Sequence, residues 1–314
     1  MDEVLSTGDV VTLNAPGEPT GRELLAKSPD LIDVPIVLAT IGFDNAALKT
    51  PNDRYNNDAI NYARQAIQQM EAGKTSKQYG AYAYSYNNKD NAMGWMNYTI
   101  GYIMFNRMNQ KKEALPYLYK ATQHNGGAKN LPIIYQMIGD FYKEEYNRID
   151  DQRTTIAKEA EADTNEETKK QKIDKAKELL ALQKGYADRM IDAYARARAN
   201  AAADKAYQDA LYNTLKILYG VRFDGKTDGL DAYLSSTVSK PMPDPTSTVT
   251  PVAETSTTAT TSSTTTTTPA TNGAGNGTKA TNGAKTTNGT TAGTTNKTTT
   301  PAKKPVAAKK KGTR

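Results

Sequence analysis

The chain reads as an all-α protein built from helical hairpins, and three observations lead there. Apolar residues recur at helical spacing across most of residues 20–240, whereas no stretch sustains the period-two alternation of a sheet strand. The helical segments come in pairs joined by short polar turns. Different pairs also share signatures at equivalent places. First helices carry Ile41-Gly42, Ile100-Gly101 and Ile138-Gly139; second helices carry Ala59-Ala63-Ala66, Ala114-Leu118-Ala121 and Ala187-Ile191-Tyr194. Residues spaced four then three lie on one helix face, and helices cross closely only where small side chains let their backbones approach.

From the N-terminus, residues 1–19 lack periodicity and are expected to be irregular. Gly21–Lys27 reads as the last turns of a helix, closed by Ser28-Pro29-Asp30. Asp33 is expected to cap a helix reaching about Ala47, with Pro35 in its first turn. Asn56–Glu71 is the next helix, and Gly73 follows where a left-handed cap would sit. Between residues 77 and 90, Tyr82, Tyr84 and Tyr86 alternate after Tyr79, which suggests a brief extended piece packed over a neighbouring helix.

Asn91–Gln123 is the best-formed pair, with Asn91 as expected cap and Gly126-Gly127 as terminator. Leu131–Ile149, with Pro132 in its first turn, runs into the charged stretch Asp150–Glu178. That stretch reads either as a solvated helix extension or as a helical hairpin turning near Asp163-Thr164-Asn165, and the third hairpin is expected to have elongated helices. Leu179–Ala199 is helical again. Asp204–Tyr219 is an amphipathic helix expected to stop at Gly220, and Asp228–Val238 closes the domain before Pro241, Pro243 and Pro245.

Composition sets the remaining bounds. Residues 241–314 are dominated by Thr, Ala, Gly, Asn and Pro and cannot bury enough apolar surface to offset their ordering entropy, so they are expected to form a disordered tail. The net charge is +6, but residues 245–314 hold eight Lys, Arg314 and the single acid Glu254, so the tail is +8 and the rest −2. Lys303–Lys311 could therefore touch an anionic envelope polymer or lipid, while the body offers no basic surface for nucleic acid. The absence of Cys excludes disulfides, thiolate metal sites and cysteine nucleophiles. No stretch reaches the ~18 apolar residues of a membrane span and no signal peptide opens the chain, so it is expected to be soluble.

Tyr135-x-x-Ile138-Gly139-x-x-Tyr142 and Ala114-x-x-x-Leu118-x-x-Ala121 resemble the two halves of the tetratricopeptide repeat, with Ile in place of Leu. The resemblance spans roughly residues 21–220 and implies an irregular α-solenoid whose concave face takes a protein or peptide. The tail is similar to those of exported bacterial repeat proteins. GRELLAKSPD looks like the end of a second helix lacking its first, so the chain is expected to begin inside a longer, exported precursor; otherwise it is cytoplasmic.

The candidate site is the stripe Trp95, Tyr98, Tyr102 and Phe105, whose spacings place all four on one helix face. If Ile100-Gly101 fills the repeat's Leu-Gly slot, that face lines the concave groove. If the register is counted back from Ala114, three of the four become core. Gln136, Asp140 and Lys143 on the next first helix would add polar selection.

Gly220–Thr227 matches the phosphate-loop pattern, but a helix rather than a strand precedes it, and Phe223 and Asp224 stand where amides should wrap an anion. A helix stop and an Asp-Gly turn explain it better. His124, the sole histidine, can build neither a triad nor a zinc site. The expected function is a non-enzymatic protein- or peptide-binding scaffold without catalytic residues, metal or cofactor. The alternatives are an envelope structural protein held by its basic tail and, more remotely, a nucleotide-binding enzyme using Gly220–Thr227.

Overall fold

The computed structural model describes residues 21–75, 86 and 88–252. Within them lie nine helices and no strand: α1 (Gly21–Lys27), α2 (Asp33–Ala47), α3 (Asn56–Glu71), α4 (Lys89–Asn106), α5 (Lys111–Gln123), α6 (Pro132–Ala162), α7 (Glu166–Asn200), α8 (Lys205–Arg222) and α9 (Leu230–Val238). The all-α, helical-hairpin architecture is therefore present. Helix α2 pairs with α3, α4 with α5 and α6 with α7; successive pairs meet through α3–α4 and α5–α6, and α8 and α9 both lean on α7. One apolar core runs through these pairs from Ile32 to Val249.

The shared Ile-Gly dipeptides are the hairpin crossing points. A Cβ added to Gly42 would lie 2.4 Å from the Ala59 Cβ, and one on Gly101 would lie 2.6 Å from the Leu118 Cδ2. At Gly139 it would lie 2.9 Å from the Tyr194 ring. Each is shorter than any normal carbon contact, so only glycine allows the helices to close. Ala59 and Leu118 follow their glycines at the same sequence distance. The expected equivalence of Ala59 with Ala114 is thus one turn out of register. The third crossing lies far along the chain because α6 and α7 are 31 and 35 residues long.

The charged stretch is helical on both sides of the expected turn. Asn165 caps α7, accepting from the Glu167 and Thr168 amides at 3.0 and 3.1 Å. Bonds from Lys172 and Thr168 hold the Asp163 carboxyl well below the usual range, to about 2.

Several helix ends differ from expectation. Asn88, three residues before the expected Asn91, caps α4 and accepts the Asn91 amide at 2.8 Å. Asp33 is the first residue of α2 rather than its cap, and Ile32 before it makes no side-chain cap bond. Helix α5 ends at Gln123, before Gly126-Gly127. That pair serves close approach instead: a Cβ on Gly126 would meet Asn91 Oδ1 at 2.4 Å, and the Gly127 amide donates to that oxygen at 2.9 Å. Helix α8 overruns Gly220 and ends where Asp224 and Gly225 turn left-handed, at φ 54° and 84°. Helix α9 begins at Leu230, later than the expected Asp228, after a left-handed Gly229.

The expected tail boundary at residue 241 falls ahead of a segment that packs on the helices. Residues 241–252 run antiparallel to α7 as a non-helical strap. Arg196 Nη2 holds the Lys240 carbonyl at 2.8 Å, and Arg189 donates to the Asp244 carbonyl at 3.3 Å and to Ser247 Oγ at 2.9 Å. The Val252 amide donates to the Ala181 carbonyl at 2.8 Å. Within it, Pro245 and Val249 are buried. The start expected to be irregular, the alternating tyrosines before Tyr86 and, apart from this strap, the tail expected to be disordered lie outside the described residues.

Candidate partner-binding face

Gly101 faces α5, whereas the middle of the stripe on α4 lies against α2. There Phe43 packs against Tyr98 with ring centroids 5.4 Å apart and edge-on against Tyr102 at 5.2 Å. Trp95 and Tyr102 flank Tyr98, each 5.8 Å away in T-shaped contact. Tyr86 stacks on Trp95 at 6.4 Å, and its hydroxyl lies 3.2 Å from that of Thr40. Tyr98 and Phe105 are only 5% and 6% exposed, whereas Trp95 and Tyr102 are half-buried. The Lys111 ammonium sits over the Phe105 ring at 5.4 Å. Phe43 closes over the middle of the stripe, and burial claims half of it.

On α6, Gln136 accepts from the Tyr207 hydroxyl of α8, and Asp140 accepts from the Tyr194 hydroxyl of α7. Lys143 is exposed. Burial, then the Asp140 bond, pushes the Tyr194 phenol up. Burial does the same to Tyr98, with Tyr102 and Tyr207 near enough to add to the effect. Asn106 Nδ2 reaches Met137 Sδ at 3.1 Å, joining α4 to α6. Side chains of α2, α4, α6 and α8 thus meet on one face. Of its phenols, Tyr98 and Tyr102 make no hydrogen bond among the described residues, and Tyr98 is too deep to meet a ligand without rearrangement.

Sequence reasoning missed Phe43, Tyr194 and Tyr207. Phe43 carried a signal, because it follows Gly42 as Tyr102 follows Gly101 and Asp140 follows Gly139. Tyr207 carried none, since α8 has no Ile-Gly crossing.

The remaining candidates are structural. In Gly220–Thr227, the first three residues are helical and the amides of Phe223, Gly225 and Lys226 bond to Tyr219, Gly220 and Phe223 carbonyls at 2.9, 2.7 and 3.1 Å. Arg222 pairs with Asp188 at 2.7 Å, and Phe223 packs 4.3 Å from Tyr219. The amides that would wrap an anion are thus occupied in ending a helix. His124 Nδ1 lies 2.8 Å from Asp90 Oδ1, and the other oxygen of Asp90 takes the Asn125 amide at 2.6 Å. These bonds hold the Asp90 carboxyl below its usual range and fasten the end of α5 to the start of α4.

Among the described residues, no group of His, Asp and Glu side chains could hold a metal ion, and no helix is long and apolar enough to cross a membrane. Compared with family models, with curated proteins and with solved structures, the chain matches none.

Proposed function

We propose that the chain is an irregular repeat scaffold of the tetratricopeptide type that binds a protein or peptide on the face shared by α2, α4, α6 and α8. One observation carries this reading. Half-buried aromatics from separate hairpins, Phe43, Trp95, Tyr102 and Tyr207, gather on one face with Asp140 and Lys143 beside them. Half-buried aromatic rings with a polar margin supply contact area at low entropic cost. The contact set is narrower than the stripe suggested. Trp95, Tyr102 and Lys143 would meet the ligand directly; Tyr98 and Phe105 support them; Gln136 and Asp140 would have to exchange their tyrosine bonds for ligand bonds. No catalytic role or cofactor is assigned.

Trp95 is the only tryptophan, so its emission reports this face alone. A peptide selected against the full chain should shift Trp95 fluorescence on binding. Tyr102→Ala and Lys143→Glu should each weaken that binding about tenfold or more, in line with the 1.4 kcal/mol or larger loss typical of a central contact. Their far-UV circular dichroism should be unchanged. Selected peptides that leave Trp95 silent, or that bind both variants as well as the parent, would place the binding face elsewhere.

A further inference from the structure

We propose that the groove between α5, α6 and α7 is a second peptide-binding site, occupied in cis by the strap and able to take a proline- and threonine-rich peptide of the same kind in trans. The strap shows what the groove accepts. Pro245 and Val249, four residues apart, are its buried anchors. Between and beyond them the groove holds mostly backbone: Arg189 donates to the Asp244 carbonyl at 3.3 Å, and the Ala181 carbonyl takes the Val252 amide at 2.8 Å. Arg189 also reads one hydroxyl, Ser247 Oγ at 2.9 Å. Gly185 leaves the passage open, since a Cβ there would stand 2.3 Å from the Thr250 oxygen. Main-chain bonds with pockets for a few side chains are the usual terms on which a non-helical peptide is bound. The strap's Thr246, Ser247, Thr248 and Thr250 are exposed, so the groove selects the two anchors and tolerates small polar residues elsewhere.

The cis occupant fits loosely. A cavity of about 530 Å³ remains between it and the helices, lined by Leu115, Phe141, Tyr142, Leu182 and Tyr186. The volume lies within the range of ordinary ligand sites. Tyr142 is 2% exposed and its hydroxyl has no hydrogen-bond partner. The cavity, open to solvent and lined also by Lys112, Glu145 and Thr246, leaves room for a larger side chain, and the unpaired buried hydroxyl opposes the docked state. A trans peptide with a bulkier side chain near the Pro245 position, and a carbonyl for Tyr142 to donate to, would fill the space and pair the hydroxyl. The strap's advantage is its tether to α9, which gives it a high effective concentration. Trans binding is accordingly a competition, won by a better fit or by a weakened strap.

The test titrates a labelled peptide of sequence PMPDPTSTVTPVA, residues 241–253, into the full chain and reads fluorescence anisotropy. Val249→Asp, which impairs the cis strap and leaves the groove intact, should bind this peptide at least tenfold more tightly than the parent. Adding Gly185→Leu to that variant should abolish binding, and adding Tyr102→Ala should leave it unchanged. Equal binding by parent and Val249→Asp, or binding that survives Gly185→Leu, would overturn the proposal. A wild-type measurement guards against a variant that fails to fold. Excess peptide should speed hydrogen exchange at the Val252 amide while the α7 amides stay protected. A Val252 amide that exchanges only with global unfolding would overturn the proposal too, as would strap exchange into a dimer in place of one peptide per monomer.

Discussion

Replacing Gly42 with Ala tests the crossing geometry on which the hairpins rest. The new Cβ would stand 2.4 Å from the Ala59 Cβ and 3.3 Å from its Cα. Carbon atoms pack at about 3.5–4.0 Å, so α2 and α3 must part by more than about 1 Å. Overpacking of this kind costs about 1–3 kcal/mol, against a helix-propensity gain of about 0.8–1 kcal/mol. An approach as short as 2.4 Å belongs in the upper half of that range, about 2–3 kcal/mol, so the expected net loss is about 1–2 kcal/mol, read as a lower urea midpoint and a melting temperature down by roughly 3–6 °C. The partner change Ala59→Gly should also destabilise alone, by about 1–2 kcal/mol from lost propensity and a lost methyl. Combined, the two exchange the methyl group across one contact, and the double variant should return to within about 1 kcal/mol of the parent. Neutral behaviour of Gly42→Ala, or losses that simply add in the double variant, would refute the close-crossing argument.

Gly220 sits inside α8 with nothing within 4 Å of an added Cβ, so Gly220→Ala should raise stability by about 0.5–1 kcal/mol in urea unfolding. Asn88→Ala removes the acceptor for the Asn91 amide and should cost about 1 kcal/mol, with faster hydrogen exchange confined to the first turn of α4. Asp53 is held down to about 2, first by its bond from Arg107 and then by Asn56. A depressed carboxylate stabilises above its unfolded value of about 3.9, and that contribution disappears as pH falls toward its folded value. Acid melting curves of the parent and Arg107→Ala should accordingly differ at pH 6 and converge toward pH 2.

Much of the fold was legible because it is local. Periodicity placed α3 at its observed ends, Pro132 marked the start of α6, and Asp163-Thr164-Asn165 marked the turn between the long helices. The boundary errors came from competition between neighbouring signals. Asn88 and Asn91 are both capping types, and the one whose oxygen reaches a free amide prevails. Gly220 is tolerated inside α8 because its cost in a helix interior is only about 1 kcal/mol, while the left-handed Asp224-Gly225 pair supplies the stop. The candidate face was half legible. Spacing put Trp95, Tyr98, Tyr102 and Phe105 together, but spacing cannot say what lies opposite a face.

The sequence by itself determined the helical class, the pairing into hairpins and the glycines that let each hairpin close, because these follow from residue size and periodicity within one or two helices. Tertiary structure decided the rest. Phe43, in a separate hairpin, buries Tyr98 and leaves Tyr102 half-open. Arg189, Gly185 and Ala181 fix a strap that composition alone assigns to the tail. Proline and threonine carry no period, so their place was set entirely by the surface they meet.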